Sequence, residues 1–294
     1  MIAGFGPALV DYTHLIDKYP PAGGHAIVRK TERFAGGAAG NVIFGLSKLG
    51  LRCRFYTTLG EDDDSRFYLS EMRSAGVEVV YTISHRYAGK CDIYVDPSGE
   101  RTFFVHPNSA GIINLDVSSE DFKEIDYVYL DPFPAEMSFE FHLSVAKKAR
   151  KENCCVMINP GFPYISLGFK RLKELLKYCD IVFMSRDELE AIDASTGDFL
   201  EYVEILVVTM GKEGSSAYTR DKRFFERAFE VKTVDTTGAG DAFAAGFIYA
   251  YTKGYDLEKC LKTGNYVASV NVQKVGARNF PDRTELDKFL KITD

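Results

Sequence analysis

The chain has 294 residues, of which 46% are hydrophobic, and its 36 basic and 42 acidic residues give a net charge of −6. This length and apolar content suit one large α/β domain, or two smaller ones, with a substantial core. The acidic balance argues against a general nucleic-acid binder, and the chain lacks the run of about eighteen apolar residues that a membrane span needs.

Helix and strand patterns alternate along most of the chain, which is typical of parallel βαβ units. In chain order they predict helix 38–49, strand 52–58, helix 65–75, strand 77–81, strand 126–130, helix 138–151, strand 154–158, a helix near 169–178, strand 180–184 and strand 204–209. We therefore expect an α/β fold with a doubly wound, mostly parallel sheet and helices on both faces.

Two segments interrupt this alternation. Residues 12–34 contain two prolines and two glycines, and residues 88–106 contain two strand-like runs joined by a turn at Asp96–Gly99. We expect them to form a small β-sheet, over about 12–34 and 88–108, that projects from the core as a lid. Since no long linker is present, residues 1–294 are expected to form a single domain. Exposed lid edges with Phe103 and Phe104 favour a homodimer through the lids.

The cysteines and the N-terminus indicate the compartment. The six cysteines include no C-x-x-C pair and most lie in apolar segments, which is typical of reduced thiols in the cytoplasm. The segment Met1–Gly6 has no basic residue and is interpreted as a first strand rather than a signal peptide. A cytoplasmic protein is expected.

The segment Asp235–Asp241, Asp-Thr-Thr-Gly-Ala-Gly-Asp, opens onto the apolar stretch 242–248. A helix that begins here would present unpaired N–H groups and a positive dipole end to an anion. Gly238 and Gly240 would let the backbone approach a phosphate closely. Asp241 would then lie beside that phosphate, where it can take a proton from an attacking hydroxyl. The alternative is a glycine turn with Asp241 as a helix cap.

A second glycine-rich segment, Ala35–Asn41, precedes helix 38–49. Gly36 and Gly37 would let a ligand approach the main chain, and Asn41 offers a donor and an acceptor; a plain strand-to-helix loop fits equally well. Asp11 is predicted at the end of the first strand, where open α/β sheets bind ligands and where it can accept bonds from vicinal hydroxyls. A capping role is the alternative for Asp11.

These two segments resemble the C-terminal and N-terminal signatures of the PfkB, or ribokinase-like, carbohydrate kinases, and the resemblance covers nearly the whole chain. It implies a ribokinase-like fold with a lid. It also implies that Asp241 is the catalytic base, with the backbone amides of Gly238, Ala239, Gly240 and Asp241 as an anion hole, and that Asp11, Gly36, Gly37 and Asn41 bind the acceptor.

The same resemblance suggests a nucleotide site. The segment Thr209–Gly214 resembles the family's T-x-G-x-x-G, which implicates Thr209, Gly211 and Gly214, and Asn265 looks like a residue that flanks the base. Where the family usually has N-x-x-E, this chain has Ser185 and Glu188, so Glu188 would place Mg²⁺ through water without the usual asparagine. Asp235 would lie beside a monovalent cation such as K⁺.

The acceptor is the least defined part of the prediction. Relatives that act on sugar phosphates often have a lysine in the glycine motif, where this chain has Ala38 and Ala39. Lys90 and Arg101 could supply positive charge from the lid, Arg101 as an acceptor ligand, or they are the charged residues of a solvated sheet edge.

The sequence therefore predicts a kinase that transfers a phosphoryl group from ATP, or another nucleotide, to a hydroxyl of a small sugar, polyol or nucleoside. One alternative is a nucleoside kinase rather than a free-sugar kinase, since a ribose diol satisfies Asp11 in both. The other is a sugar- or nucleotide-binding sensor that has lost catalysis, which only Ser185 supports. The expected partners are these small molecules, with no nucleic acid and no membrane.

Overall fold

The computed structural model describes residues 1–292. Thirteen strands occur in this part of the chain. They are β1 Ile2–Phe5, β2 Leu9–Ile16, β3 Val28–Gly36, β4 Cys53–Leu59, β5 Glu78–Ile83, β6 Gly89–Val95, β7 Arg101–His106, β8 Tyr127–Leu130, β9 Cys155–Ile158, β10 Ile181–Ser185, β11 Ile205–Thr209, β12 Ser215–Tyr218 and β13 Arg223–Glu226.

Ten α-helices accompany the strands in residues 1–292. They are α1 Ala38–Lys48, α2 Asp63–Ser74, α3 Ser138–Lys151, α4 Gly161–Ile165, α5 Phe169–Leu176, α6 Arg186–Ala191, α7 Thr196–Leu200, α8 Ala239–Thr252, α9 Leu257–Asn271 and α10 Arg283–Ile292. No helix of this described part has the length and apolar character to cross a membrane.

Nine strands form the main sheet, in the order β13-β12-β11-β10-β9-β8-β1-β4-β5. The strands from β5 to β11 in this order pair in parallel, and β12 and β13 add an antiparallel edge. Two apolar cores cover the two faces: one is built mainly with α1, α8 and α9, the other with α3 and α5. The predicted doubly wound, mostly parallel fold is confirmed.

The remaining strands form a small sheet in the order β3-β2-β6-β7. Strands β6 and β7 are an antiparallel hairpin, as predicted, and the Asp96 carboxylate closes its turn by accepting the amide of Ser98 (2.9 Å). Strand β2 pairs in parallel with β6 and antiparallel with β3. This small sheet is called the lid below.

The position of Asp11 corrects the sequence prediction. Strand β1 ends at Phe5, and Asp11 is the third residue of the lid strand β2 rather than the end of a main-sheet strand. Pro7 separates the two strands, because it has no N–H with which to continue the hydrogen-bond ladder. Asp11 therefore reaches the cleft from the lid side.

Candidate active site

Helix α8 begins at the glycine-rich loop and fixes its conformation. Gly238 is the N-cap residue, with φ +70° in the left-handed region. A Cβ at this position would also collide with Ala277, so only glycine fits. No heavy atom lies within 4 Å of a Cβ built on Gly240, so this face of the loop is open. The helix start is thus accessible to an anion.

The two glycine-rich segments meet because α1 packs on α8. Asn41, in the first turn of α1, donates a hydrogen bond from Nδ2 to Oδ2 of Asp241 in the first turn of α8 (2.8 Å). Asn41 is buried, with 4% of its surface exposed. This contact joins positions 200 residues apart and orients the Asp241 carboxylate.

Arg278 completes this contact and was not found by sequence reasoning. Its Nε donates to Oδ1 of Asn41 (2.8 Å), and its Nη2 donates to the carbonyl of Gly36 (3.3 Å). The guanidinium lies over the rings of Phe44 and Tyr68, at 4.9 and 5.2 Å from their centroids. Because both polar ends of the Asn41 amide are engaged, its Nδ2 must point to Asp241.

Asp11 lies on the opposite side of the same cleft. Its carboxylate packs so closely against Gly36 that a Cβ at position 36 would overlap it. Burial raises the pKa of Asp11 to about 7; the Arg278 charge opposes this rise and the Asp241 charge adds to it. Asp11 is thus an acceptor group with an unusually basic carboxylate, next to the glycine motif.

Asp241 also has a perturbed carboxylate. Burial raises its pKa to about 6, against the hydrogen bond from Asn41 and the charge of Arg278. Asp131, directly after β8, lies nearby, and its Oδ2 accepts the amide of Ala39 (3.4 Å). Burial, and then the charge of Asp241, raise the pKa of Asp131 well above its usual range. Asp131 is a second site residue that sequence reasoning missed.

The lid touches the glycine-rich loop through Arg101. Its Nη2 lies 2.6 Å from Oδ1 of Asp235, and its Nη1 donates to Oγ1 of Thr237 (2.9 Å). Burial raises the pKa of Asp235, but hydrogen bonds from the Gly276 and Thr237 amides, together with the Arg101 charge, outweigh it and hold that pKa below its usual value. The pKa of Asp235 is thus lowered, whereas the pKa of Asp241 is raised.

Lys90, the second basic lid residue considered in the sequence analysis, lies on the face of the lid opposite to Arg101. Lys90 Nζ is 3.0 Å from Oδ1 of Asp92 and 4.7 Å from the centroid of the Tyr12 ring. In the β6–β7 register, Arg101 pairs with Val95, which lies five residues from Lys90 on the same strand. Because successive side chains of a strand alternate between its two faces, Lys90 and Arg101 project to different sides of the lid. Of these two cations, Arg101 is the one that contacts the loop.

A cavity of about 450 Å³ lies on the other side of the α8 N-terminus. Its lining includes Gly211, Thr236, Ala239 and Asn265, so it brings together residues predicted for nucleotide and phosphate binding. Three further nucleotide-site candidates, Thr209, Gly214 and Ser185, do not line this cavity.

Asn265 helps to build the cavity wall. Its Nδ2 donates to the carbonyls of Glu226 (3.0 Å) and Arg227 (3.2 Å), and its Oδ1 accepts the hydroxyl of Ser215 (3.0 Å). Since both ends of the amide have partners, Asn265 fixes the chain that follows β13 beside α9.

Ser185 and Glu188 form the capping box of α6. Ser185 Oγ accepts the amide of Glu188 (3.2 Å), and Glu188 Oε2 accepts the amide of Ser185 (2.7 Å). The serine at the departure from the family pattern therefore stabilises a helix start. Within residues 1–292, no group of three or more His, Cys, Asp and Glu side chains is placed to hold a metal ion by itself.

Comparison with known proteins identifies the family. The family described as pfkB family carbohydrate kinase matches residues 1–284. This chain belongs to the pfkB family of carbohydrate kinases. A nucleoside kinase of Methanocaldococcus jannaschii is 30% identical, over 94% of this chain and 92% of that protein. A protein named as an uncharacterized sugar kinase, from Archaeoglobus fulgidus, is 32% identical over 80% of this chain and 96% of its own length.

The solved structures give the same assignment. A ribokinase from Thermotoga maritima superposes with a TM-score of 0.87 at 26% identity, and the match covers 99% of each chain. The pfkB kinase described here is thus a phosphotransferase with an alcohol group as acceptor, in the class of sugar and nucleoside kinases. Membership of this family implies ATP as the phosphoryl donor, typically with Mg²⁺.

Proposed function

We propose that this kinase transfers the γ-phosphoryl group of ATP to a hydroxyl of a small sugar, polyol or nucleoside, with Asp241 as the general base. The placement of Asp241 carries this proposal: it lies in the first turn of α8, and one carboxylate oxygen is fixed by Asn41. A pKa of about 6 makes the carboxylate a stronger base than a solvated aspartate, while leaving it ionised at neutral pH.

The acceptor would lie between the lid and α1. Asp11 is suited to accept hydrogen bonds from two vicinal hydroxyls, and the absence of a side chain at Gly36 lets its carboxylate lie directly against the glycine motif. The contacts of Asn41 support a different role from direct acceptor binding, because both ends of its amide are already engaged. In this proposal Asn41 orients the base, and Asp11 holds the substrate.

The lid favours a nucleoside among these acceptors. Cys91 and Val105 lie opposite Asp11 in the strand register, and Ile93 and Phe103 form the next row, so these apolar side chains share the face of Asp11. Phe103 and Val105 are more than half exposed. A planar base would cover this apolar surface, whereas a free sugar would leave it in water. The similarity to the Methanocaldococcus jannaschii nucleoside kinase points the same way.

The donor would occupy the 450 Å³ cavity, with its phosphates at the start of α8. The amides of Gly238, Ala239, Gly240 and Asp241 are proposed as the anion hole; that of Ala239 donates to the Thr236 carbonyl (3.1 Å) and would exchange this partner for phosphate. Gly211, which lines the cavity, would border the donor, and Asn265 would shape the wall beside the base. Nucleotide contacts of Thr209 and Gly214, which lie outside the cavity lining, stay predictions.

Magnesium fits the carboxylates at this edge of the sheet. Glu188, which caps α6 with one oxygen, and Asp131, directly after β8, would offer the hard oxygen donors that Mg²⁺ prefers, and a bound cation would favour the ionised form of Asp131, whose pKa burial raises. When bound with the nucleotide, Mg²⁺ would shield the donor phosphates. The role of Asp235 as a ligand of K⁺ stays a prediction, for which the contacts of Asp235 suggest a different reading below.

We also infer that residues 1–294 act as one domain, with the lid over about 12–34 and 88–108 inserted in it. A homodimer through the lids and a cytoplasmic location stay predictions. The sensor alternative stays a prediction, and the capping box gives Ser185 a structural role at the start of α6.

A phosphotransfer screen tests the proposal. Purified protein with Mg²⁺ is offered ATP, GTP or ADP together with pentoses, hexoses, inositols, their phosphates and the common nucleosides, with Asp241→Asn as the control. Product with a nucleoside that disappears in the control supports the nucleoside assignment. Product only with free sugars would be consistent with the kinase mechanism but would contradict the nucleoside as acceptor. Ligand binding without transfer, for every pair, would contradict the mechanism and favour the sensor.

A further inference from the structure

Three hydrogen-bond donors already surround the carboxylate of Asp235. Its Oδ1 accepts the amide of Thr237 (2.7 Å) and the Nη2 of Arg101 (2.6 Å), and its Oδ2 accepts the amide of Gly276 (2.9 Å). The resemblance to the family predicts a monovalent cation beside Asp235. In this chain the cationic partner of Asp235 is a guanidinium.

The backbone oxygens around Asp235 are engaged as well. The carbonyl of Val272 accepts the amide of Asp235 itself (3.1 Å), and the carbonyl of Thr237 accepts Nδ2 of Asn271 (2.9 Å). The Asn279 Nδ2 donates to the carbonyls of Val275 (3.0 Å) and Gly276 (2.8 Å). An alkali cation needs several oxygen ligands at once, and these oxygens face N–H donors instead. The donor set around Asp235 therefore does not fit a K⁺ site.

We propose that Arg101 is a tethered replacement for the monovalent cation, so that this kinase holds Asp235 and its glycine-rich loop in the active arrangement without K⁺. This proposal rests on the proposed function in one respect, namely that the glycine-rich loop binds the phosphates of the donor. Because Arg101 is the first residue of β7, the charge is carried by the lid. Contact between lid and core therefore also completes the phosphate loop.

The geometry of the pair supports a persistent contact. Arg101 retains 21% and Asp235 10% of their side-chain exposure, so water is largely excluded. The same guanidinium donates to Thr237 Oγ1 (2.9 Å) and Thr236 Oγ1 (3.4 Å), which fixes its plane across the loop. Arginine does not lose its charge at any physiological pH, and its planar fork reaches several acceptors at once.

Thermal unfolding of the full chain tests the proposal without any acceptor. The melting temperature is measured in KCl, NaCl and tetramethylammonium chloride at one ionic strength of about 0.1 M. A cation bound by the folded state alone would raise it. We expect the wild type to melt at the same temperature in all three salts. A rise specific to K⁺ of about 2 °C or more would overturn the proposal.

A variant tests the role of Arg101 directly. Arg101→Ala is expected to have a lower melting temperature and to bind Mg-ATP at least about tenfold more weakly. Low millimolar guanidinium can occupy the vacated position, so it should restore part of the melting temperature and part of the Mg-ATP affinity, more effectively than K⁺ does. The matched control is Arg29→Ala, an exposed lid arginine on β3, which should behave like the wild type. Arg101→Lys keeps the positive charge and is the second variant to measure where Arg101→Ala does not fold.

Two results would overturn the proposal: wild-type Mg-ATP affinity and stability in Arg101→Ala, or a defect that guanidinium does not relieve. These measurements use KCl, guanidinium and Mg-ATP, and need no phosphorylated product. A failure of the acceptor screen is therefore distinguishable from a failure of this inference.

Discussion

Asp235 and Asp241 belong to one glycine-rich segment, yet the environments of their carboxylates shift the two pKa values in opposite directions. Asp235 receives two backbone amides and the Arg101 guanidinium, and its pKa is held below the usual value. Asp241 receives one side-chain amide, from Asn41, and burial raises its pKa to about 6. A carboxylate surrounded by donors keeps its charge and fixes a loop. One left with a single donor can accept a proton.

The largest effect is expected from the same substitution made at these two positions. Asp241→Asn should reduce turnover by a factor of about 10² to 10⁴, because the base is lost, and should leave Mg-ATP affinity within about threefold. Asp235→Asn should mainly lower the melting temperature, since charge-assisted hydrogen bonds from the loop amides weaken. Steady-state kinetics, calorimetric titration with Mg-ATP and thermal unfolding measure these effects. If Asp235→Asn lost as much turnover as Asp241→Asn and kept its melting temperature, the two aspartates would not have the different roles described above.

The acceptor side can be tested at Gly36. Gly36→Ala places a methyl group against the Asp11 carboxylate, so Asp11 must move from its position. We expect the KM for the acceptor to rise by about tenfold or more, while the Mg-ATP affinity of the free enzyme stays unchanged, because Gly36 does not line the donor cavity. Gly197→Ala, in α7, is the matched control, since its Cβ position meets only Ser195 Oγ, at an ordinary contact distance of 3.6 Å. An unchanged acceptor KM would place the acceptor elsewhere.

A smaller effect is expected when the positive charge near Asp241 is removed. The kcat/KM of the wild type should fall below about pH 6, because the base must be ionised and its raised pKa sets that limit. Arg278→Met should move this acid limb to higher pH, since Arg278 lowers the pKa of Asp241 by its charge and by its hold on Asn41. Asp11, Asp131 and Glu188 also contribute to the field in this site.

The control for this prediction is Arg278→Lys, which should keep the acid limb near its wild-type position because it retains the charge. The pH–rate profiles of the three proteins decide the matter. A profile of Arg278→Met that is lower at every pH but unshifted would show that Arg278 contributes packing alone.

The smallest expected effect concerns stability. Because the folded-state pKa of Asp11 is about 7, against 3.8 in the unfolded chain, the folded state binds more protons between these values. The contribution of Asp11 to stability is therefore greatest below about pH 4 and is lost as the pH rises through about 7, by at most about 4 kcal/mol. Asp11→Asn removes this cost, so it should melt several degrees higher than the wild type at pH 8 and show little gain near pH 4.

Local sequence signals predicted much of the fold. Helix 138–151 matches α3, and helix 38–49 overlaps α1 to within a residue, because apolar spacing and terminal glycines are properties of short segments. The hairpin at Cys91–His106 followed from its turn residues. The antiparallel edge strands β12 and β13, and the helices α9 and α10, were not predicted.

By itself, the sequence determined the alternation of strands and helices, the two glycine-rich helix starts and the family. The tertiary structure decided that Arg278 orients Asn41, that Asp11 reaches the cleft from the lid, and that Arg101, rather than Lys90, faces the loop. It also decided that the pKa of Asp235 is lowered and that of Asp241 is raised. The physical reason is that pKa values and side-chain partners depend on burial and on contacts across some 200 residues of chain, whereas periodicity and turn chemistry depend only on neighbours.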